Sequence, residues 1–385
     1  MFKRTMIAAS MAVAALASAQ SMAAVVGGGA TLPQQLYNTP GVLNSGFSAY
    51  FGVGSGGGKT AVLTNNIGSL TTTLPAGTTV DYAGSDSILS ASEISTYQAA
   101  HQAPGVPATS ADNWGPLLQF PSAATSVTIP YNKAGTTNLN LTSEQLCLAL
   151  SSNNGAARTW GEVLGTSDTT PVRVVFRSGS SGTSEILTRH LNNRCPSVFT
   201  SVSSTFANAH PGAEPDSWIP VNGSAAVAST VASTAGAIGY VGPEDVDATN
   251  NAVVARINGL LPTVGNVQTA LSTIDPPSTA TDRADLTKWA PVLPNPATGY
   301  SIVGYTNFIF GQCYKDTADV TSIRTFLNKH YNATFANSND QAIIDKKLIP
   351  LTANWKTAIR GAFIPPTSAQ GVNNASVCNG IGRPA

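Results

Sequence analysis

Small and polar residues gather in four short segments, each placed where a predicted strand ends or a predicted helix begins. The segments are residues 27–33 (GGGATLP), 52–60 (GVGSGGGKT), 80–86 (VDYAGSD) and 174–185 (VVFRSGSSGTSE). In the first segment, Pro33 suits the first position of a helix, which places Thr31 and Leu32 at the helix N-terminus. Free backbone N–H groups and the positive end of the helix dipole lie there, so this segment suits an anion.

The other three segments add groups of the same kind. Ser55 offers a hydroxyl among glycines, which let the backbone come close to a ligand. Asp86 follows one predicted strand, and Arg177 ends another, where its guanidinium presents a planar fork of donors. Residues 181–183 (SGT) open a helix and supply hydroxyls and backbone N–H groups.

Each feature taken alone has an ordinary structural explanation. Glycine-rich stretches are usually turns, a serine or threonine at a helix start is usually a cap, and Asp86 alone could form an Asx-turn. The pair Lys59-Thr60 suggests a nucleotide-binding P-loop, but that motif requires a glycine where this chain has Val53. We therefore set the P-loop aside and interpret the four segments together.

Short apolar runs alternate with helical patterns along the chain. Strands are predicted at residues 80–83, 126–131, 172–176, 238–241 and 305–310. Helices are predicted at residues 91–100, 185–191, 225–235, 321–330 and 338–347, and from a cap at Thr142 to Leu150. Residues 250–297 are rich in Pro, Thr and Asn and give weak signals. The alternation predicts an α/β fold with mostly parallel strands.

The first residues predict export. Lys3 and Arg4 precede an apolar run at 6–16, and small residues follow at 17–19 and 21–23, as in a cleavable secretory signal. We expect cleavage before residue 20 or 24. The apolar run is shorter than the roughly 20 residues that a membrane span needs. No cysteine precedes Cys147, so we expect no N-terminal lipid anchor.

Four cysteines stand far apart in this chain, namely Cys147, Cys195, Cys313 and Cys378. An even number in an exported protein predicts two disulfides, and four cysteines allow three pairings. We favour Cys147–Cys195 and Cys313–Cys378, because each bridge then stays within one half of the chain. There is no CxxC pair and the four histidines are scattered, so we expect no metal and no cofactor.

Chain length and net charge limit the number of domains and the kinds of partner that we expect. A chain of 385 residues exceeds the usual size of one hydrophobic core, which predicts two domains. Without the signal, 18 basic residues face 20 acidic ones, a net charge of −2. The chain has no basic stretch of the kind that would indicate a nucleic-acid partner.

Taken in order, the segments resemble the DING branch of the phosphate-binding protein superfamily, whose members include the periplasmic substrate-binding proteins of phosphate ABC transporters. The resemblance rests on GGGATLP at 27–33, VGSGGGK at 53–59, AGSDS at 83–87, FPSAATSV at 120–127 and SSGT at 180–183. It runs through most of the chain and fades around 250–297. At 24–27, where the tetrapeptide that names the branch should lie, only Gly27 agrees.

The resemblance implies a two-lobed type II periplasmic-binding-protein fold, each lobe a mixed sheet flanked by helices, with a hinge and a phosphate cleft between the lobes. We expect a signal peptide at 1–23, lobe I at 24–122 plus 246–385, and lobe II at 123–245. The resemblance also implies a set of phosphate ligands: Thr31, Leu32, Ser55, Asp86, Arg177, Ser181, Gly182 and Thr183.

Asp86 makes sense beside an anion when it accepts a proton from that anion. HPO₄²⁻ carries such a proton and sulfate does not, so Asp86 would reject sulfate by repulsion and an unpaired lone pair. In the related transporter proteins an acidic residue two positions after the arginine commonly pairs with it. This chain has Gly179 there, so another group must orient Arg177, and Asp86 is one candidate.

These observations favour a periplasmic or secreted, monomeric binding protein for inorganic phosphate, with a phosphate ABC permease as the expected partner. A second hypothesis is an alkaline phosphatase-like phosphomonoesterase on the same scaffold, because some proteins of this branch are described so. The sequence gives this hypothesis no clustered metal ligands and no histidine in a nucleophile motif. A third is a secreted scavenging or adhesion protein without a permease.

Overall fold

The computed structural model describes residues 24–102, 110–210 and 212–384, and the predicted signal at 1–23 lies outside them. Its strands are β1 (Gly27–Gly29), β2 (Phe51–Gly52), β3 (Tyr82–Ser85), β4 (Leu117–Ser126), β5 (Tyr131–Asn132), β6 (Asn140–Leu141), β7 (Ser152–Asn153), β8 (Ala156–Ala157), β9 (Arg173–Arg177), β10 (Ile219–Val221), β11 (Ala237–Gly239), β12 (Arg256–Ile257) and β13 (Val303–Gly311).

The α-helices alternate with the strands along the chain, and several of them pack on the sheets. They are α1 (Gln34–Tyr37), α2 (Ser55–Thr64), α3 (Ala91–His101), α4 (Ser143–Ala149), α5 (Trp160–Leu164), α6 (Gly182–Arg194), α7 (Phe206–Ala209), α8 (Ser224–Ser233), α9 (Val264–Leu271), α10 (Ala280–Ala284), α11 (Thr317–His330), α12 (Asp340–Asp345) and α13 (Ala353–Phe363). Short 3-10 helices lie at Ile67–Ser69, Pro243–Asp245, Leu286–Trp289 and Phe335–Asn337.

One mixed sheet has the strand order β2-β1-β3-β13-β4. Strands β1, β2 and β3 are parallel, whereas β13 runs antiparallel to both β3 and β4. A late segment of the chain is therefore inserted between two early strands. Aromatic side chains pack along this insertion, where the Phe310 ring stacks on Tyr82 at 5.4 Å and on Phe120 at 6.0 Å.

A second mixed sheet has the order β10-β9-β11-β5. Strand β9 is parallel to β10 and β11, and β5 pairs antiparallel with β11. Together with the flanking helices, these two sheets confirm the predicted α/β class with mixed sheets.

The chain passes between the two sheets after β4 and again after β11. The two crossing segments run side by side, because Thr128 N–H donates to the Val241 carbonyl at 2.8 Å and Val241 N–H donates back at 3.1 Å. The strand predicted at 126–131 is thus wrong in part: β4 ends at Ser126 and β5 begins at Tyr131. The predicted lobe boundary between residues 122 and 123 falls within β4, and the lobe limits stay predictions.

Local signals predicted several helix starts correctly. Ser90 caps α3 and Thr142 caps α4, and each forms a capping box with the side chain three residues later. Helix α8 begins at Ser224 and helix α12 at Asp340, within two residues of the predicted starts. No helix in the described ranges has the length and apolar character to span a membrane.

The cysteines pair as Cys147–Cys195 and Cys313–Cys378, which is the sequential pairing favoured above. The second bridge holds the C-terminal segment against the sheet that contains β13. There Arg383 is fully buried and donates to the Val80 carbonyl at 2.7 Å.

Candidate functional site

Sheet topology brings the first three segments together. Because β1, β2 and β3 are parallel neighbours, their carboxyl ends meet at one edge of the sheet. Thr31 follows β1, Ser55 begins α2 just after β2, and Asp86 follows β3 directly. Pro33 is the N-cap of the four-residue α1 rather than its first helical residue, so this helix begins one residue later than predicted.

The second sheet presents the fourth segment opposite this edge. Arg177 is the last residue of β9, and Ser181 caps α6 with its side chain accepting from the Ser184 N–H. Gly182 and Thr183 form the start of α6, whose first N–H groups have no intrahelical acceptor. Arg177, Ser181 and Thr183 are 4%, 2% and 2% exposed, so these polar groups are enclosed.

The Arg177 guanidinium joins the two edges through hydroxyl groups. Its NH1 nitrogen donates to Thr31 Oγ1 at 3.2 Å, to Ser181 Oγ at 3.4 Å and to Ser224 Oγ at 3.5 Å. Thr31 Oγ1 and Ser224 Oγ lie 3.0 Å apart. No hydrogen bond joins Asp86 to Arg177 in the described structure, but the two side chains interact through their charges. Whether Asp86 orients the arginine stays a prediction.

Ser55 forms a second junction between the sheets. Its Oγ accepts the Asp86 N–H and the Gly182 N–H, each at 3.1 Å. With two N–H groups on its oxygen, the Ser55 hydroxyl keeps its own proton to donate. The approach is close enough to require glycine, since a Cβ on Gly182 would lie 2.3 Å from Asp86 Cβ. The contacts of Ser55 and Arg177 together hold the facing edges of the two sheets closed against each other.

Asp86 is enclosed in this closed cleft. It is 5% exposed, and its Oδ1 has no hydrogen-bond partner among the described residues. Burial raises the pKa of Asp86 to about 7, against the opposing effects of the Thr306 hydroxyl and the Arg177 charge. A carboxyl group with a pKa near 7 can either accept a hydrogen bond from a ligand's proton or hold a proton itself.

Leu32 completes the first edge through its backbone. The residue is 1% exposed, and its N–H makes no hydrogen bond to a described residue. Arg177 Nε is likewise buried and without a partner in the described ranges. The described site therefore contains donor groups, the Leu32 N–H and Arg177 Nε, that no described residue satisfies.

The sequence analysis missed two residues that contact this site. Ser224, the first residue of α8, follows Gly223 in the same small-residue, helix-start pattern that marked the other segments. That pattern could have found it. The Tyr240 hydroxyl accepts the Arg177 N–H at 3.2 Å and lies 2.7 Å from Ser184 Oγ. No sequence signal marks this tyrosine, because its role depends on how β11 places it.

The arrangement suits the binding of a tetrahedral oxyanion. It combines one guanidinium, several hydroxyls and helix-start N–H groups with one carboxyl that can accept a proton. Among the described residues there is no group of acidic, histidine or cysteine side chains that could hold a metal ion. The histidines make contacts elsewhere: His190 Nε2 lies 3.0 Å from Ser143 Oγ, and His330 Nε2 lies 3.1 Å from Ser122 Oγ.

Comparison with known proteins gives one family match and three similar proteins. Residues 19–328 match the PBP superfamily domain. The chain is 52% identical over 390 residues, and over the full length of both chains, to a Pseudomonas aeruginosa protein named alkaline phosphatase L. The structure resembles a phosphate-binding protein from Stenotrophomonas maltophilia, with 41% identity, a TM-score of 0.83, and coverage of 94% of this chain and 100% of the other. It also resembles PfluDING, described as a high-affinity periplasmic phosphate-binding protein in a structure bound with phosphate at pH 8.5. That match has 39% identity, a TM-score of 0.84, and coverage of 94% and 99%.

Proposed function

The chain belongs to the PBP superfamily and, within it, to the two-lobed DING phosphate-binding proteins, and from this membership we propose that it captures inorganic phosphate as HPO₄²⁻ in the cleft between its sheets. One observation carries the proposal: Arg177 and Ser55 bridge the two edges of the cleft around the buried carboxyl of Asp86.

We assign the ligand groups as follows. The anion replaces the direct contacts between the edges and accepts hydrogen bonds from Arg177, from the hydroxyls and from the free N–H groups. Asp86 accepts the proton of HPO₄²⁻. The full proposed set is Thr31, Leu32, Ser55, Asp86, Arg177, Ser181, Gly182 and Thr183, with Ser224 added because its hydroxyl contacts both Thr31 and Arg177.

We also propose that residues 1–23 are a cleavable signal and that the mature protein is a monomer in the periplasm or outside the cell. The motifs at 17–23 and the periplasmic relative support this localisation. A phosphate ABC permease is the proposed recipient of the phosphate. Scavenging without a permease is the alternative use of the same binding site.

The test is calorimetric titration with phosphate, sulfate, arsenate and a phosphomonoester. Wild type should bind phosphate and arsenate and should reject sulfate. Arg177→Ala removes the bridging cation, and Arg173→Ala is the matched control, because Arg173 lies on the same strand but is exposed. If wild type binds no phosphate, or if Arg177→Ala binds it as well as Arg173→Ala does, the site is elsewhere.

Hydrolysis of phosphomonoesters is a second candidate, because a relative that is 52% identical is named alkaline phosphatase L. The described site favours binding, since a cleft that closes on phosphate leaves no room for the alcohol of a phosphoester. A hydrolysis assay with added metal and with chelator, run on wild type and Arg177→Ala, separates the two functions. Turnover by wild type that is lost in Arg177→Ala would favour the phosphatase.

A further inference from the structure

Glu244 is a half-buried acidic residue on one of the two crossing segments. It lies in the 3-10 helix Pro243–Asp245, three residues after Val241, which pairs with Thr128 on the other crossing segment. Both carboxylate oxygens of Glu244 are shielded from solvent and have no hydrogen-bond partner on another described residue, while the backbone N–H of Glu244 itself favours the ionised form. Polar atoms in this state are rare in folded proteins and call for an explanation.

The crossing segment that carries Glu244 also contacts the anion site. Tyr240, four residues earlier, accepts the backbone N–H of Arg177. Electrostatic interactions link the Glu244 carboxyl to both Arg177 and Asp86. The three side chains share a further property, because Arg177 Nε and Asp86 Oδ1 are also buried and without partners in the described part of the chain.

Charges of both signs surround the Glu244 carboxyl. Asp245 and Asp86 contribute negative charge, while Arg177 and Lys347 contribute positive charge, and Lys347 donates to the Val246 carbonyl at 2.8 Å. Helix α8, which packs on this 3-10 helix, carries no charged residue. Burial, followed by the charge of Asp245, raises the pKa of Glu244 well above its ordinary value. The enclosed Glu244 carboxyl therefore keeps its proton to a higher pH than an exposed glutamate does.

A dianion in the cleft strengthens this preference. Negative charge brought next to Arg177 lies within electrostatic range of Glu244 and disfavours its ionised form further. An opening of the cleft that admitted water to this carboxyl would lower its pKa toward the value of an exposed glutamate. Closing on phosphate would then move a proton from solvent to a Glu244 carboxylate oxygen.

We propose that Glu244 is a further residue of the phosphate site, a carboxyl on the crossing segment that takes up a proton from solvent when the cleft closes on phosphate. The inference rests on the proposed phosphate-binding function. It assigns Glu244 a positioning role, since the residue acts on the anion through the charge of the site and through Arg177.

The test measures proton uptake on phosphate binding by calorimetry in two buffers of different ionisation enthalpy, between pH 6.5 and 8.5. The proteins are mature wild type, Glu244→Gln, Glu244→Asp and the control Asp247→Asn, which removes a carboxylate that is exposed on the same segment. We expect wild type and Asp247→Asn to take up more protons than Glu244→Gln, by a large fraction of one proton. The affinity of wild type should fall with rising pH more steeply than that of Glu244→Gln, by up to tenfold per pH unit. Glu244→Asp should retain the steeper dependence.

Equal proton uptake and parallel pH profiles for wild type and Glu244→Gln would overturn the inference while leaving phosphate binding intact. Absence of phosphate binding by wild type would instead overturn the proposed function. A spectroscopic measurement covers the case in which Glu244→Gln does not fold. Carboxyl ¹³C spectra of glutamate-labelled wild type must show a glutamate that is protonated above pH 7 with phosphate and ionised without it, and Glu244→Asp identifies its signal. The absence of such a signal refutes the inference.

Discussion

Replacing Asp86 by asparagine keeps the shape of the side chain and removes its charge. In the closed conformation the pKa of Asp86 is raised from 3.8 to about 7, a change of roughly three units. At 1.36 kcal/mol per unit, enclosing the ionised carboxylate costs about 4 kcal/mol at a pH well above 7. The cost is absent below pH 4 and grows as pH rises toward 7, because the enclosed group keeps its proton over that range while the solvated group loses it.

The two anions meet this cost differently. HPO₄²⁻ donates its proton to the Asp86 carboxylate, and a charge-assisted hydrogen bond of about 1.5–3 kcal/mol offsets much of the cost. Sulfate has no proton to donate, so it meets the whole cost together with direct repulsion. Asp86→Asn should therefore change phosphate affinity by less than about tenfold and increase sulfate affinity by about tenfold to a thousandfold.

The assay is calorimetric titration of wild type and Asp86→Asn with both anions at pH 6, 7 and 8. Sulfate should bind wild type best at pH 6, where Asp86 holds its own proton, and should bind Asp86→Asn equally at the three values. Arg177→Ala is the positive control and should weaken phosphate binding by roughly 2–5 kcal/mol, since the enclosed anion loses its guanidinium partner. An unchanged phosphate-to-sulfate ratio in Asp86→Asn would show that Asp86 is not the discriminating group.

Three further predictions concern stability. Phosphate at 100 times its dissociation constant should stabilise wild type by about 2.7 kcal/mol in thermal melts, and Arg177→Ala should show no such gain at the same concentration. Replacing Cys147 and Cys195 together by serine removes a bridge across 48 residues and should lower the free energy of unfolding by about 4 kcal/mol in urea titrations. Lys356 and Asp340 form an ion pair with side chains 5% and 9% exposed, so Lys356→Met should cost about 3–5 kcal/mol. Adding Asp340→Asn to Lys356→Met should recover part of that loss, and a double variant no more stable than the single one would contradict the argument.

Much of the site could be predicted because its position follows from topology. Thr31, Ser55 and Asp86 follow parallel strands, and the carboxyl ends of parallel strands share an edge whatever the intervening sequence is. Arg177 ends a strand of the second sheet, so the same rule places it. Ser224 was missed because a serine after a glycine at a helix start usually acts as a cap, and local pattern alone does not show which cap faces a cleft.

The errors in the sequence analysis arise where side chains are buried without belonging to a paired strand. Val127 and Ile129 are both fully buried, and their alternation with polar residues predicted a strand at 126–131. That segment crosses between the sheets, so its apolar side chains are buried without a continuous ladder. Glu244 gave no signal, because its enclosure depends on packing between segments more than 100 residues apart, such as the pairing of Val241 with Thr128.

The insertion of β13 between β3 and β4 sets an order for biosynthesis. As the chain emerges into the compartment where it folds, every strand of the second sheet is present by residue 239, whereas the first sheet lacks the interior strand β13 until residues 303–311 appear. Between the end of β4 and the end of β13 lie nearly 200 residues. Until they have emerged, the strand edges of β3 and β4 that β13 will pair with stay unpaired. Nascent chains released before residue 311 should therefore bind holdase chaperones, while the segment around β9 and β11 already resists protease.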